Sequence, residues 1–486
     1  MNRRKFLHLG AAASLANFQL PQLFAQDDRA AVRLNLRSDR LGQKIAEDFV
    51  GLSYESAQLG NPKFFSGENT ALIGFVRGLG SSGVLRIGGN TSEWCYWTPD
   101  PSKRIHADSE GAVGPDKGLK AASPVSITPE AIRNLRDFLD ATGWKLIYGL
   151  NMGTGSAEDA AAEAAYVMDV AGAKLIAFQL CNEPDLFYKN GIRKADYAFS
   201  QFGQEWQHFF EAIRARVPAA PFAGPDTAYN NSWLVPFANQ FKSQVRFLSQ
   251  HYYAEGPPTD PSMTIERLLH ANPKLQDEFA GMQKTMHETG LPFRLAETNS
   301  CYSGGKAGVS DTFASALWGS DLMYQLAAAG GTGINFHGGG YGWYTPIAGT
   351  PEDGFLARPI YYGMLMFSQA GAGQLFETSL DGIERAPILT AYGLRATNGK
   401  ERAIVINKNL DRRVLITVSA NHGMRGVQVL RLHAPRIDDT TDVTLGAAPV
   451  GASGNWSAQQ TETVSATNGN IELDLPAASA AVLTLE

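Results

Sequence analysis

From about Phe49 to Tyr344 the chain alternates two textures: short apolar runs rich in β-formers, then longer alanine-rich or amphipathic stretches. The runs are FVGLSYES, GVLRIGGN, KLIYGLNMG, LIAFQLCNEP, APFAGPD, VRFLSQHYY, PFRLAETNS and TGINFHGGG. Near-continuous apolar runs of this length are what parallel strands need when both faces are covered. Between them, ITPEAIRNLRDFLDATG, SAEDAAAEAAYVMDVAGA and YAFSQFGQEWQHFFEAIRARV read as helices. The last has apolar residues at helical spacing and ends in basic residues that complement the helix dipole. Eight strand–helix units over about 300 residues predict an α/β fold, a (β/α)8 TIM barrel. A doubly wound open sheet is the alternative, but no GxGxxG follows the first run.

After about Pro359 the pattern changes. AIVINKNL, RVLITVSA, GVQVLRLH, TTDVTLG, GNIELDLP and AAVLTLE are short, alternating or β-branched runs separated by Gly, Asn and Asp. They predict a C-terminal antiparallel β-sandwich domain. AVRLNLRS, ahead of the first barrel run, has the same texture and is expected to join that sandwich. The expected division is an export signal over 1–25, an N-terminal strand over 28–45, a catalytic barrel over 46–355 and a sandwich over 356–486, with a fixed interface between the last two.

The first residues, MNRRKFLHLGAAASLANFQLPQLFAQ, combine a basic start, a short apolar stretch and a small residue, Ala25, at a cleavage point. Arg3 and Arg4 followed by Lys5, Phe6 and Leu7 have the form of a twin-arginine signal, which predicts export to a bacterial periplasm or beyond. The apolar stretch is too short for a membrane span. Over 486 residues the formal charge is −6, which offers no support for nucleic-acid or anionic-membrane binding. Three cysteines, Cys95, Cys181 and Cys301, are too few and too uneven for a disulfide framework and read as buried fillers. With no CxxC or HExxH, no metal site is expected.

Polar residues close the barrel runs: Glu55, Asn90, Asn151, Asn182 with Glu183, Asp226, His251 with Tyr253, Glu297 and His337. In a barrel these ends surround one cleft. Glu183 closes the fourth run and Glu297, about 110 residues later, the seventh. Two carboxylates facing one cleft are the equipment for cleaving a glycosidic bond: about 5 Å apart they work with a covalent intermediate, and about 6.5–9.5 Å apart they invert through a water. Each also has a plainer reading. Glu183 before Pro184 suits a helix-starting turn, Glu297 suits a buried pair with Arg294, and strand-end polar residues often cap helices.

LRIGGNTSEW, QLCNEPDLF and RLAETNSCYSGG together resemble glycoside hydrolase family 79, within the clan of retaining barrel glycosidases. The resemblance implies a barrel with a sandwich built from both chain ends, Glu183 as acid/base, Glu297 as nucleophile, and a pocket that reads the C5 carboxylate of glucuronic acid. Tyr302, after the seventh run, and Tyr341, Trp343 and Tyr344 in HGGGYGWYTP, after the eighth, offer hydroxyl donors, a stacking face and, with the glycines, close main-chain N–H groups. Glu55, Asn90 and Asn182 suit sugar hydroxyls, and Tyr253 suits a hydrogen bond that keeps the nucleophile ionised. The expected activity is a retaining, exo-acting β-glucuronidase of the bacterial kind, acting on a glucuronide and needing no cofactor, because two carboxylates and water complete the reaction. A heparanase-like endo-enzyme, a retaining glycosidase for a neutral sugar and a non-catalytic carbohydrate-binding protein are the alternatives.

Overall fold

The computed structural model describes residues 29–104, 123–228, 231–420 and 423–486. The expected export signal therefore lies outside the described residues. All eight expected barrel strands are present: Val50–Glu55, Val84–Gly88, Lys145–Gly149, Leu175–Gln179, Ala223–Thr227, Phe247–Glu255, Phe293–Cys301 and Ile334–Gly338, here called barrel strands 1 to 8. They pair in parallel in the order 4-3-2-1-8-7-6-5, and a single parallel bridge between Phe178 and Phe222 links strands 4 and 5 to close the ring. Closure rules out the open doubly wound sheet.

Strand 7 departs from the expectation that Glu297 ends it. It runs on to Cys301, with Cys301 paired to Glu255 of strand 6. The polar tail stays in the sheet because each side chain finds a partner. Thr298 Oγ1 donates to the Tyr252 carbonyl (2.6 Å), Asn299 Nδ2 to the carbonyls of His337 (2.8 Å) and Tyr344 (3.0 Å), and Ser300 Oγ to Ser310 Oγ (2.9 Å).

The stretch just after the expected boundary at 356 is helical rather than sheet. Pro359–Ala370 is a helix that completes the eighth unit and packs against the helix Phe313–Ala328. Its apolar residues show no single face because it is covered all round: Ile360, Tyr361, Met364, Leu365, Met366 and Phe367 are all buried.

The second domain is one ten-stranded sheet that folds over itself. Ala30–Ile45 lies within it, antiparallel to Gly373–Asp381 and parallel to Val414–Ala420, so the two ends of the chain share one sheet. Alternation assigns its two faces. Ala403, Val405, Val427, Val429, Ala481 and Leu483 point into the sandwich core. Their neighbours Ile404, Ile406, Leu432, Ala480 and Val482 join the core of the barrel. These strands are therefore apolar on both faces.

One buried ion pair adds direction to that apolar contact. Asp321, on the helix Phe313–Ala328, accepts from Lys408 Nζ (2.6 Å), Thr390 Oγ1 (2.7 Å) and Tyr392 OH (2.6 Å) of the sheet domain. Both charged side chains are buried. Asp321→Ala strands the Lys408 ammonium away from water and is expected to destabilise the protein by about 3–5 kcal/mol. Adding Lys408→Met should recover much of that loss. Denaturant titration of the two variants checks it; equal losses for the single and double variants would show that the charge is not the cause.

Candidate active site

The C-terminal end of the barrel is organised around Arg86, which lies in the middle of strand 2 and is fully buried. All five of its N–H donors are used. Nε donates to Gln179 Oε1 (2.9 Å). One terminal nitrogen donates to Ser53 Oγ (3.1 Å) and Glu297 Oε2 (2.5 Å), the other to Asn182 Oδ1 (2.8 Å) and Asp226 Oδ2 (2.6 Å). The two glycines of LRIGGN leave room for this network. A Cβ on Gly88 would lie 2.5 Å from the Arg86 guanidinium carbon. One on Gly89, whose φ is +72°, would lie 2.4 Å from the Glu55 carboxylate.

Glu297 reaches the network through a bulge. Leu295 pairs with Gln250 and Glu297 with His251, so Ala296 is an extra residue in strand 7. Arg294 and Glu297 both turn into the barrel although strict alternation would place them on opposite faces. The suggested pair between them does not form. Arg294 sits one layer lower, donating to Asn335 Oδ1 (2.7 Å) and to the carbonyls of Asp48 (3.1 Å) and Phe49 (3.3 Å). Tyr253 OH donates to Glu297 Oε1 (2.7 Å), and His337 Nδ1 lies 3.5 Å from Oε2. Burial alone would raise the Glu297 pKa. The charges of His337, His251 and Arg86 and the Tyr253 hydroxyl overcome it and hold the carboxyl far below the usual range.

Glu183 lies four residues beyond the end of strand 4, in a left-handed conformation (φ 48°, ψ 54°). A non-glycine residue there costs on the order of 1–3 kcal/mol and persists only when its surroundings fix it. Its N–H donates to the Asp226 carbonyl (2.9 Å), and its own carbonyl accepts from Leu186 N (2.9 Å). Its Oε1 meets His251 Nδ1 at 3.0 Å. The other ring nitrogen, Nε2, lies 3.2 Å from Asp226 Oδ2. Burial would lower the His251 pKa, but the charges of Asp226 and Glu297 and hydrogen bonds to Asp226 and Glu183 push it up to about 10.

Oxygens of Glu183 and Glu297 lie within 4.8 Å of each other and of a His251 nitrogen. The trio has the donor types a metal ion accepts, yet the Arg86 guanidinium already supplies the positive charge at this point, 2.5 Å from Glu297.

The other expected residues divide. Asn182 and Asn90 are joined, Asn182 Nδ2 donating to Asn90 Oδ1 (3.2 Å) beside the pair. Tyr344 is buried, its ring centroid 6.1 Å from that of Tyr253 and 6.0 Å from that of His337. Glu55 has its Oε2 committed to the Thr91 N–H (2.8 Å) and hydroxyl (2.6 Å), while its Oε1 lies 3.4 Å from His337 Nε2. Tyr302 is half-exposed at the rim, over Gly256. Tyr341 is turned outward: it is 54% exposed and its hydroxyl donates to Asp353 (2.6 Å). Trp343 carries the Arg358 guanidinium over its ring at 5.6 Å. Sequence reasoning missed Arg86, Gln179 and Glu93. The first left a signal, since an arginine inside an otherwise apolar strand must find a buried partner.

Comparison with known proteins places this geometry in a family. The chain is 27% identical over 401 residues to a beta-glucuronidase of Aspergillus niger, covering 74% of this chain and 71% of that one. It is 23% identical over 477 residues to a beta-glucuronidase of Neurospora crassa, covering 86% and 81%. Among solved structures, a 4-O-alpha-L-rhamnosyl-beta-D-glucuronidase of Fusarium oxysporum superposes with TM-score 0.73 at 18% identity, over 93% of this chain and 100% of that one. A family 51 arabinofuranosidase of Xanthomonas axonopodis pv. citri gives 0.68 at 15%, over 94% and 100%. At such identities these two likenesses are of fold. Residues 81–324 match the N-terminal domain of glycosyl hydrolase family 79 and residues 391–482 its C-terminal beta domain. This chain belongs to glycoside hydrolase family 79.

Proposed function

We propose that this glycoside hydrolase is a retaining, exo-acting β-glucuronidase that releases terminal β-linked glucuronic acid from a glycan or glycoconjugate. The observation that carries the reading is the close approach of Glu183 and Glu297, whose oxygens come within 4.8 Å. Retaining glycosidases hold their two carboxyl groups about 5–5.5 Å apart. The sugar specificity is drawn from the beta-glucuronidase relatives of Aspergillus niger and Neurospora crassa.

Glu297, kept ionised, attacks the anomeric carbon while Glu183 protonates the leaving oxygen. Glu183 then takes a proton from the water that releases the sugar. Tyr253 and Arg86 orient the nucleophile, each through one of its two oxygens. Asn90, Asn182 and Glu55 face the sugar hydroxyls. Tyr344, Tyr302 and the main chain of the loop 338–344 read the C5 carboxylate with neutral donors. Such donors are weaker than an arginine fork but leave the charge balance around Glu297 undisturbed. Tyr341 belongs to the outer rim rather than to the sugar pocket, because Asp353 holds its hydroxyl. Glu297 is the acceptor at which Arg86, Tyr253 and His337 converge, whereas Glu183 meets a single histidine, which fits nucleophile and acid/base respectively.

We further propose that residues 1–25 direct export. Among the described residues no helix is long and apolar enough to cross a membrane. N-terminal sequencing of the mature protein checks this, with cleavage expected after Ala25.

An aryl β-glucuronide should be hydrolysed well ahead of the matching β-glucoside and β-xyloside. Glu183→Ala and Glu297→Ala should each lose about 10²-fold or more in kcat on a phenyl glucuronide. Near-wild-type turnover by both variants sinks the catalytic assignment, equal rates on glucoside sink the specificity, and an inverted first product by NMR sinks the nucleophile role.

The raised His251 pKa also has a sign. The folded protein holds a proton on this ring up to about pH 10, whereas an unfolded histidine loses it near its ordinary 6.5. The stabilisation is therefore fully present below about pH 6.5 and fades as pH rises towards 10. Denaturation of the native protein and of His251→Asn across that range should show a stability difference that shrinks with rising pH; a difference that stays flat above about pH 6.5 would mean the ring is neutral when folded.

A further inference from the structure

Glu93 lies in the short helical turn Asn90–Trp94 after barrel strand 2 and is 1% exposed. Its carboxylate serves main-chain amides. Oε1 accepts from the N–H of Asn182 (2.7 Å) and Oε2 from the N–H of Gly153 (2.5 Å), with the Ser92 hydroxyl donating to Oε1 at 3.3 Å. Asn182 belongs to the loop after strand 4 and Gly153 to the loop after strand 3, so one side chain ties three consecutive loops of the barrel mouth.

The surroundings are fitted to that tie. A Cβ on Gly153 would lie 2.4 Å from Glu93 Oε2. Thr154 Oγ1 donates to the Glu93 carbonyl. Arg193 holds the same loop from outside, donating to the carbonyls of Gly153 (2.6 Å) and Met152 (3.2 Å). Two buried N–H groups converging on two oxygens call for a carboxylate. Glutamine would turn an NH₂ towards one of them, and aspartate is one methylene too short to keep both.

Asn182 immediately precedes Glu183. Its side chain is held by Arg86 and Asn90 and its main chain by Glu93. The peptide that enters the left-handed Glu183 is thus pinned on both sides. We propose that Glu93 is a positioning residue for the acid/base: it fixes the Asn182 main chain and so aims the Glu183 carboxyl at the leaving oxygen, taking no part in proton transfer itself. This rests on the reading of Glu183 as the acid/base.

A group that only aims the acid matters in proportion to how much the leaving group needs a proton. A dinitrophenolate leaves without one, whereas phenolate or an alkoxide does not. The test uses the full-length enzyme and its Glu93→Gln, Glu93→Asp and Glu183→Ala variants. Each is assayed for kcat/KM, which reports the first bond-breaking step, on dinitrophenyl and on phenyl β-glucuronide. Both Glu93 variants are expected to fall by about 10–100-fold on the phenyl substrate and by less than about threefold on the dinitrophenyl one. The aspartate variant keeps the negative charge and loses only reach, so it supplies the reading if the glutamine variant folds poorly. Equal losses on both substrates mean a merely structural residue and overturn the proposal, as does no loss on either. If Glu183→Ala shows no such split, the acid/base reading itself fails. If Glu183→Ala splits and the Glu93 variants do not, the positioning role alone falls.

Discussion

A single guanidinium sets the terms for the catalytic end of this barrel. Arg86 is fully buried and cannot shed its charge, so every one of its donors must be met from within. Serving them takes side chains from strands 1, 4, 5 and 7 and from the loop after strand 4: Ser53, Gln179, Asp226, Glu297 and Asn182. A parallel barrel is ordinarily filled by layers of branched apolar residues. Here the upper layer is a hydrogen-bonded polar network. Gln179 is its hinge, accepting from Arg86 and donating to Asp226 (2.5 Å) and Ser249 (2.9 Å). Removing the arginine would leave buried carboxylates unpaired, so the network stands as a unit.

The backbone bends to serve this network. Ala296 is inserted into strand 7 so that Glu297 faces inward, and strand 5 shifts register around Asp226, which itself has φ 63°. Glu183 takes a left-handed conformation a few residues past strand 4. Glu183, Asp226 and Glu297 thus occupy irregular backbone positions in or just beyond otherwise regular strands. Strain kept at such places is sustained by the rigid scaffold below. That scaffold includes the helix Pro359–Ala370 and the double-faced strands of the sheet domain, which bury the outer wall of the barrel.

These irregularities mark where the sequence stopped being legible. All eight barrel strands could be read because continuous apolar runs separated by helical segments have few other meanings. The sheet domain showed in the same way, except for Gly373–Asp381, Leu389–Ala396 and Glu462–Ser465, whose partly or fully exposed outer residues dilute the pattern. The helix Pro359–Ala370 escaped because burial on all sides erases helical periodicity. At the site, strand ends pointed to Glu183, Glu297, His251, Tyr253 and Asp226. A bulge of one residue leaves no trace in RLAETNS, so the inward turn of Glu297 and its arginine partner could not be read there. Arg294 was the nearer candidate along the chain, and Arg86, more than 200 residues away, is the one in contact. Glu93 belongs to the same class: its role depends on two amides that only the folded loops bring together.

Two carboxylates of one residue type are given different characters by what surrounds them. Glu297 receives Arg86 on one oxygen and Tyr253 on the other, with His337 beside it, so the negative charge is stabilised before any substrate arrives. Glu183 is approached by His251 on Oε1. That histidine is in turn held between Asp226 and Glu183, so its positive charge is shared with a carboxylate that takes no direct part in bond breaking. On the proposed mechanism, esterifying Glu297 to the sugar removes one negative charge from the network while that of Asp226 remains, so Arg86 and His251 keep a buried carboxylate to pair with throughout the reaction.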